Sequence, residues 1–424
     1  MIVILGAGLS GLSAAFHLKA KDYLIFEKET EAGGLCRSEV YEGFTFDHTG
    51  HLLHLHHPYT QRLLQELLPD RLIRHQRRAA IYLKGNYIPF PFQANLWALP
   101  EDLKKECLSE FIRARSENVK GGDDFLSWIH QAFGAGIAKH FMIPYNEKLW
   151  KIPLDEISLE WVDRFIPCPT RKEVVDGASG VNLKGFGYNQ EFFYPRKGGI
   201  QILPQVFLSQ VREVQFGKEV KAIDIDKKVV IFRDGAETTY HSLLSSLPLN
   251  ELLRSLESCP KKIKELNSGL RYVSVVNINL GVAREGISDH HWVYFPEPSC
   301  PFYRVGFLSN LSPSMAPKGA SALSIEISYL QSNPPSSEKL REQALAALVS
   351  CEILKKDDKI LAEKTIFIKH AYVIYDQFRS EHLARIIQFL RSKQIYPLGR
   401  YGRWEYTTME EAILQGKEAV VAFS

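Results

Sequence analysis

"IVILGAGLSGLSAAFHLKAKDYLIFEKE", residues 2–29, reads as a buried strand, a glycine-rich turn, an alanine-rich helix and a second strand. Gly6 makes the tight turn, Gly8 lets the backbone approach a pyrophosphate, and Gly11 lets helix and strand pack closely. The helix amino terminus then turns unpaired N–H groups towards phosphate oxygens. Glu27 ends the second strand about 20 residues after the first glycine, where a carboxylate accepts ribose hydroxyls. A lone glycine triplet is weak, but here strand, helix, second strand and acid stand in register. The stretch predicts a Rossmann-type α/β unit that holds a dinucleotide.

Immediately downstream, "EAGGLCRS" (31–38) places Gly33 and Gly34 just after the ribose acid. The pair resembles the flavin-binding signature of the amine oxidase and glutathione reductase superfamily. By itself a Gly-Gly turn needs no ligand; after a complete Rossmann unit it favours FAD over NAD. No second glycine fingerprint marks a separately docked nicotinamide. Two later stretches suit the same fold. Residues 211–235 alternate like a hairpin pair, and in this superfamily the segment around Val220 lies against the adenine. Residues 396–420 run from a strand or loop into a helix whose Thr408 and Glu411 have capping-box spacing. In this superfamily such a helix amino terminus, here with Met409, lies beside the flavin.

The chain has 424 residues, 45% hydrophobic and 24% charged, which suits two or three globular domains. A formal charge of +3, spread evenly, points to neither nucleic acid nor an anionic membrane. Six scattered cysteines form no CxxC or metal spacing and read as reduced thiols of a cytoplasmic protein. No apolar run approaches the roughly 18 residues of a membrane span. Five histidines crowd residues 48–57 without acidic or cysteine partners at ligand spacing, so no metal is expected.

Between the Rossmann pieces lie insertions. Residues 95–180 repeat apolar positions at helical spacing. Residues 78–94 and 270–378 are β-branched, aromatic and alternating, as antiparallel strands are. The expected architecture is an FAD-binding Rossmann-type domain (1–77, 181–269 and 379–424) carrying a helical insertion (95–180) and an antiparallel or mixed β-sheet domain (78–94, 270–378). The polar, glycine-rich stretch 166–192 reads as a lid or as disorder.

Six segments combine tyrosine or phenylalanine with arginine, asparagine or glutamine, and three of them are "HQRRAAIYLKGNYIPFPFQ" (75–93), "PYNEKLW" (144–150) and "CPFYR" (300–304). Together they resemble the UDP-galactopyranose mutases, nearest in pattern to the eukaryotic-type branch. The resemblance covers nearly the whole chain. It implies that Arg164 and Arg304 clamp the substrate diphosphate, while Tyr294, Tyr372 and Tyr406 donate hydroxyls to it. It places Asn146, Trp150 and Asn189 at the nucleotide or sugar, and Phe92 and Gln93 at the uracil. His51 then lies beside the flavin ring and Arg400 near the sugar–flavin contact. The chain departs from the pattern at Thr49, where the mutases carry glycine, at Phe90, and in "YTTMEEAI" (406–413).

The residue types suit that chemistry independently. A nucleotide sugar carries two negative charges that guanidinium forks bind bidentately, and tyrosine adds rigid area and a hydroxyl. In the family, reduced flavin N5 attacks the anomeric carbon and UDP leaves. Ring opening and reclosure on the flavin-bound sugar then give the furanose. The resemblance thus implies a cytoplasmic isomerase of cell-surface polysaccharide synthesis, using FAD reduced by NADPH or NADH. Its partner is a UDP-sugar, and a homo-oligomer is compatible. Two competing readings share the scaffold: an amine or protoporphyrinogen oxidase, and a flavoprotein that binds nucleotide sugars without turnover.

Overall fold

The computed structural model describes residues 1–19, 22–116, 122–181 and 190–421. Its organising element is a five-stranded parallel sheet in the order Ile395–Pro397, Ser242–Ser245, Ile2–Leu5, Tyr23–Phe26, Val214–Gln215. The strand Ile2–Leu5 lies centrally and is fully buried, as an uninterrupted Ile-Val-Ile-Leu run between covered faces should be. The strands come from three separated stretches of chain. The final helix, Met409–Val421, closes over the first, Leu9–Leu18, where Ser13 Oγ donates to Ile413 O at 2.6 Å. A methyl group on Gly416 would stand 2.6 Å from Ser10 O, so that crossing needs glycine.

A seven-stranded sheet forms the second layer, in the order Ile360–Val373, Tyr272–Val282, Ser321–Tyr329, Arg304–Phe307, Trp292–Tyr294, Ala79–Leu83, Asn86–Pro89. It is antiparallel except where Trp292–Tyr294 runs parallel to Ala79–Leu83. The hairpin foreseen within 211–235 is present as Val220–Asp224 against Val229–Phe232.

The helical region contains Glu101–Ser116, Phe125–Ile137 and Ile143–Trp150. The helical spacing of 125–150 is interrupted twice, by a kink at Gly134 (φ 71°) and by a π turn at Ala138–Met142 ahead of the helix that carries Asn146 and Trp150. The stretch 166–192 is also more structured than its composition suggests. Thr170 and Glu173 cap each other's backbone and start a helix, Arg171–Ala178. That capping box outweighs the local run of polar residues, and the rest of the stretch, 182–189, lies outside the described residues.

Burial places several histidines where their charged form is disfavoured. It holds His51, His54 and His370 down to about 4 and His291 to about 3. An unfolded chain protonates all four near 6.5, so stability is lost as pH falls from there towards 4. Asp47 opposes the trend, because burial pushes its carboxyl up to about 6 despite hydrogen bonds from Ser38, Tyr194 and Ile200 N. Four rings outweigh one carboxyl. The thermal midpoint should therefore drop by more than about 5 °C between pH 7 and pH 5. A scan showing equal or greater stability at pH 5 would contradict the buried, neutral assignment.

Candidate active site

At the carboxyl ends of the parallel strands, Gly6 turns the chain with φ 97° and the helix Leu9–Leu18 begins without a side-chain cap. A methyl group on Gly11 would stand 2.0 Å from Gly6 O, so Gly11 is demanded by the turn itself. Gly8 is different. Its nearest neighbour would be Gly34 Cα at 3.9 Å, and the segment bridges Gly33 in parallel. The room beside Gly8 and Gly34 is open on the cavity side, a cradle that side chains would fill. Glu27 is buried, accepts from Ala7 N at 2.7 Å and Glu29 N at 3.0 Å, and lines the same cavity as that cradle. Arg37 Nε is buried there without a hydrogen-bond partner. Bare helix N–H groups, a doubled glycine approach, a fixed ribose-type acid and an orphan guanidinium nitrogen fit the diphosphate and ribose of FAD.

The same cavity, about 1080 Å³, reaches the sheet domain. Besides Gly6, Gly8, Glu27, Gly33 and Gly34, its lining includes His51, Val220, Tyr294, Arg304, Tyr372, Arg400, Tyr406 and Met409. Sequence reasoning had proposed each of these, and the fold brings them together from six separated stretches. The helix at Met409 does carry the reciprocal cap, with Glu411 N donating to Thr408 Oγ1 and Thr408 N to Glu411 Oε2.

Electrostatics differ between the two cavity arginines. Arg304 stands opposite Glu326 on neighbouring strands and donates to it from Nε at 3.0 Å and Nη2 at 2.7 Å. Burial works against the Arg304 charge, but Glu326 more than offsets it. Arg400 instead donates to Ala371 O and Thr407 O, lies 4.1 Å from the Tyr406 ring centre, and has no carboxylate partner among the described residues. Tyr372 and Tyr406 stack at 5.9 Å beside it. Burial raises the hydroxyls of Tyr294 and Tyr372 above the ordinary phenol value, so both keep their protons and donate. His51, neutral through burial with Arg400 and Arg304 adding to the effect, lies 3.3 Å from Thr49 O. Thr49 carries φ 77°, a left-handed value that costs a β-branched residue roughly 1–3 kcal/mol.

Other proposed residues stand elsewhere. Arg164 is ion-paired with Glu411 and faces a second cavity of about 520 Å³, separated from the first by Tyr406 and Thr407. It is not beside Arg304, because the short helix Val162–Phe165 packs Phe165 edge-on against Tyr406. Phe92 is fully buried on Phe141, and Gln93 donates to Pro167 O with its Oε1 unpartnered. Asn146 donates to Met142 O at the end of the preceding π turn, while Trp150 meets Tyr372 edge-on from behind the cavity wall. These four form a layer beneath the lining rather than the lining. Asn189 lies outside the described residues. Missed by sequence reading were Glu326, Tyr303 and Tyr401; only strand pairing reveals that Glu326 faces Arg304.

Comparison with known proteins places this geometry. The family model for flavin containing amine oxidoreductase matches residues 9–422. A crystal structure of reduced UDP-galactopyranose mutase superposes with a TM-score of 0.95 at 30% identity, covering 100% of this chain and 94% of that one. A putative protoporphyrinogen oxidase from Exiguobacterium sp. 255-15 shares the fold at TM-score 0.77 and 14% identity, covering 100% and 98%. An uncharacterized protein in the nifH2 3′ region of Methanothermococcus thermolithotrophicus is 48% identical over 48 residues, 11% of this chain and 46% of that protein. The chain thus spans about half the length of that curated relative. With the family model matched over almost every residue and the mutase fold over all of them, the chain belongs to the flavin-containing amine oxidoreductases and, within them, to the UDP-galactopyranose mutase family.

Proposed function

We propose that this protein interconverts the pyranose and furanose forms of a UDP-sugar, with UDP-galactopyranose and UDP-galactofuranose the pair to test first. The observation that carries the reading is one cavity holding both the dinucleotide cradle and a tyrosine wall around two guanidinium groups, one of them with no carboxylate partner among the described residues. Arg400 binds a diphosphate oxygen as its missing anion, and Arg304, fixed by Glu326, offers its remaining N–H groups to the other phosphate. Tyr294, Tyr372 and Tyr406 donate hydroxyls to the same oxygens and exclude water. His51 stays neutral and holds the loop beside the cofactor ring. The chemistry that FAD would supply in the cradle, once bound and reduced by NADPH or NADH, is a nucleophilic nitrogen for the anomeric carbon. Arg164 joins the clamp only by leaving Glu411, and Phe92 and Gln93 serve the uracil from beneath.

Under nitrogen, protein reduced with dithionite should convert UDP-galactofuranose into UDP-galactopyranose, and oxidised protein should not. Equal turnover in both redox states would overturn the reading. Rapid oxygen consumption with an amine would favour the oxidase alternative.

Two glycines should fail differently. Gly8→Val should fold yet purify colourless, because only a pyrophosphate contests that space. Gly11→Ala should lose about 1–3 kcal/mol of stability through the clash with Gly6 O, whether or not FAD is added. If Gly8→Val binds FAD like the parent, the cradle is misassigned.

A charged hydrogen bond typically contributes about 1.5–3 kcal/mol, so Arg400→Ala should weaken UDP binding about tenfold to a hundredfold. Arg304→Ala should weaken it at least as much, since Glu326 is left as an unpaired anion facing the phosphates. Arg164→Ala should cost less than either. Calorimetric titration with UDP gives the order, and an Arg164→Ala loss larger than both others would move the diphosphate to the second cavity.

A further inference from the structure

Cys300 and Cys351 lie 51 residues apart in sequence, yet their sulfurs are 3.4 Å apart and hydrogen-bonded. They are the two thiols the flavin chemistry does not use and the fold nevertheless juxtaposes. Cys300 sits in the connection between strands Trp292–Tyr294 and Arg304–Phe307, and Cys351 caps the carboxyl end of the helix Ser337–Ser350. No further metal-ligating side chain joins them among the described residues, so a metal site is not what the pair builds. Both are buried, at 1% and 3% exposure. Pro298, Ser299 and Glu352, which flank them, are exposed.

The connection bearing Cys300 matters because of what its ends carry. Tyr294 and Arg304, both lining the main cavity, pair directly across the hairpin. The connection is gathered by Lys148, whose ammonium donates to Phe295 O and Glu297 O at 2.6 Å and Phe302 O at 3.3 Å. The apex of the arm is thus held by one lysine on one side and abuts a second thiol on the other.

We propose that Cys300 and Cys351 form a reversible dithiol–disulfide switch that tethers the Tyr294–Arg304 hairpin to the helix Ser337–Ser350. A low-molecular-weight disulfide such as oxidised glutathione is the oxidant. Cys351 Sγ attacks one of its sulfurs and releases a glutathione thiolate, leaving a mixed disulfide. Cys300, giving its proton to the departing thiolate, attacks Cys351 Sγ and expels the second. Two protein thiols lose two electrons and two protons, and one disulfide becomes two thiols. The polarity of the pair suits those roles: the hydrogen bond from Cys300 brings the Cys351 thiol down, while that same contact and burial push Cys300 up, with Lys148 opposing the rise.

The test uses the unmodified full chain equilibrated across glutathione redox ratios, acid-trapped, alkylated in denaturant and mapped by mass spectrometry. A Cys300–Cys351 linked peptide should appear in oxidising buffer and vanish in reducing buffer. Hydrogen exchange of peptides within 292–307 should slow severalfold in the oxidised form, because a cross-link suppresses local opening. Cys300→Ser and Cys351→Ser should each abolish the difference. Full alkylation of both thiols at every ratio would overturn the proposal. So would a linked peptide that leaves exchange in 292–307 unchanged, or an exchange difference that persists in both variants.

Discussion

Glu326 is the group on which the site depends. Its carboxylate, 1% exposed, accepts from Arg304 on the neighbouring strand, from the Tyr303 hydroxyl, and from Gly50 N at 3.2 Å. Burying a carboxylate costs several kcal/mol unless its lone pairs are filled, and here guanidinium, phenol and amide fill them. The three donors come from two different parts of the chain. The carboxylate therefore fixes the arginine on the sheet and, through Gly50, the loop that carries Thr49 and His51. A cavity wall made from a sheet and a loop keeps one shape because a single anion joins them.

A second carboxylate does the same on the other side. Glu410, also buried, accepts from His56 N and His57 N at 2.9 Å and from the Thr60 hydroxyl. It lies in the first turn of Met409–Val421, so the last helix is pinned to the turn that starts the helix Pro58–Leu67. Glu411 beside it holds Arg164. Neighbouring acids in one helical turn thereby divide their work: one closes the cofactor domain, the other fixes an arginine at the rim of the second cavity.

This arrangement explains why the cavity holds Arg400 as it does. Two backbone carbonyls and an aromatic face orient the guanidinium without neutralising it. Arg304, neutralised by Glu326, contributes direction; Arg400 contributes charge. Under the proposed function, a site with both would bind a diphosphate firmly and still release it.

The nucleotide-binding half was legible in the sequence because its requirements are local. Gly6, Gly8 and Gly11 answer backbone distances within one turn, Glu27 closes a strand at a set interval, and Thr408 with Glu411 caps a helix three residues on. Residue type and spacing determine all of these. The substrate half was legible only as a list of side chains. Whether Arg304 and Arg164 share a cavity depends on packing between a strand and a four-residue helix far apart in sequence, and the structure separates them. Phe92, Gln93, Asn146 and Trp150 slipped one layer back for the same reason. A π turn, which leaves no periodic mark in the sequence, precedes the helix that carries Asn146 and Trp150. Glu326, Tyr303 and the Cys300–Cys351 contact exist only through strand register and a helix end. Long-range pairing, which no local pattern encodes, decided them.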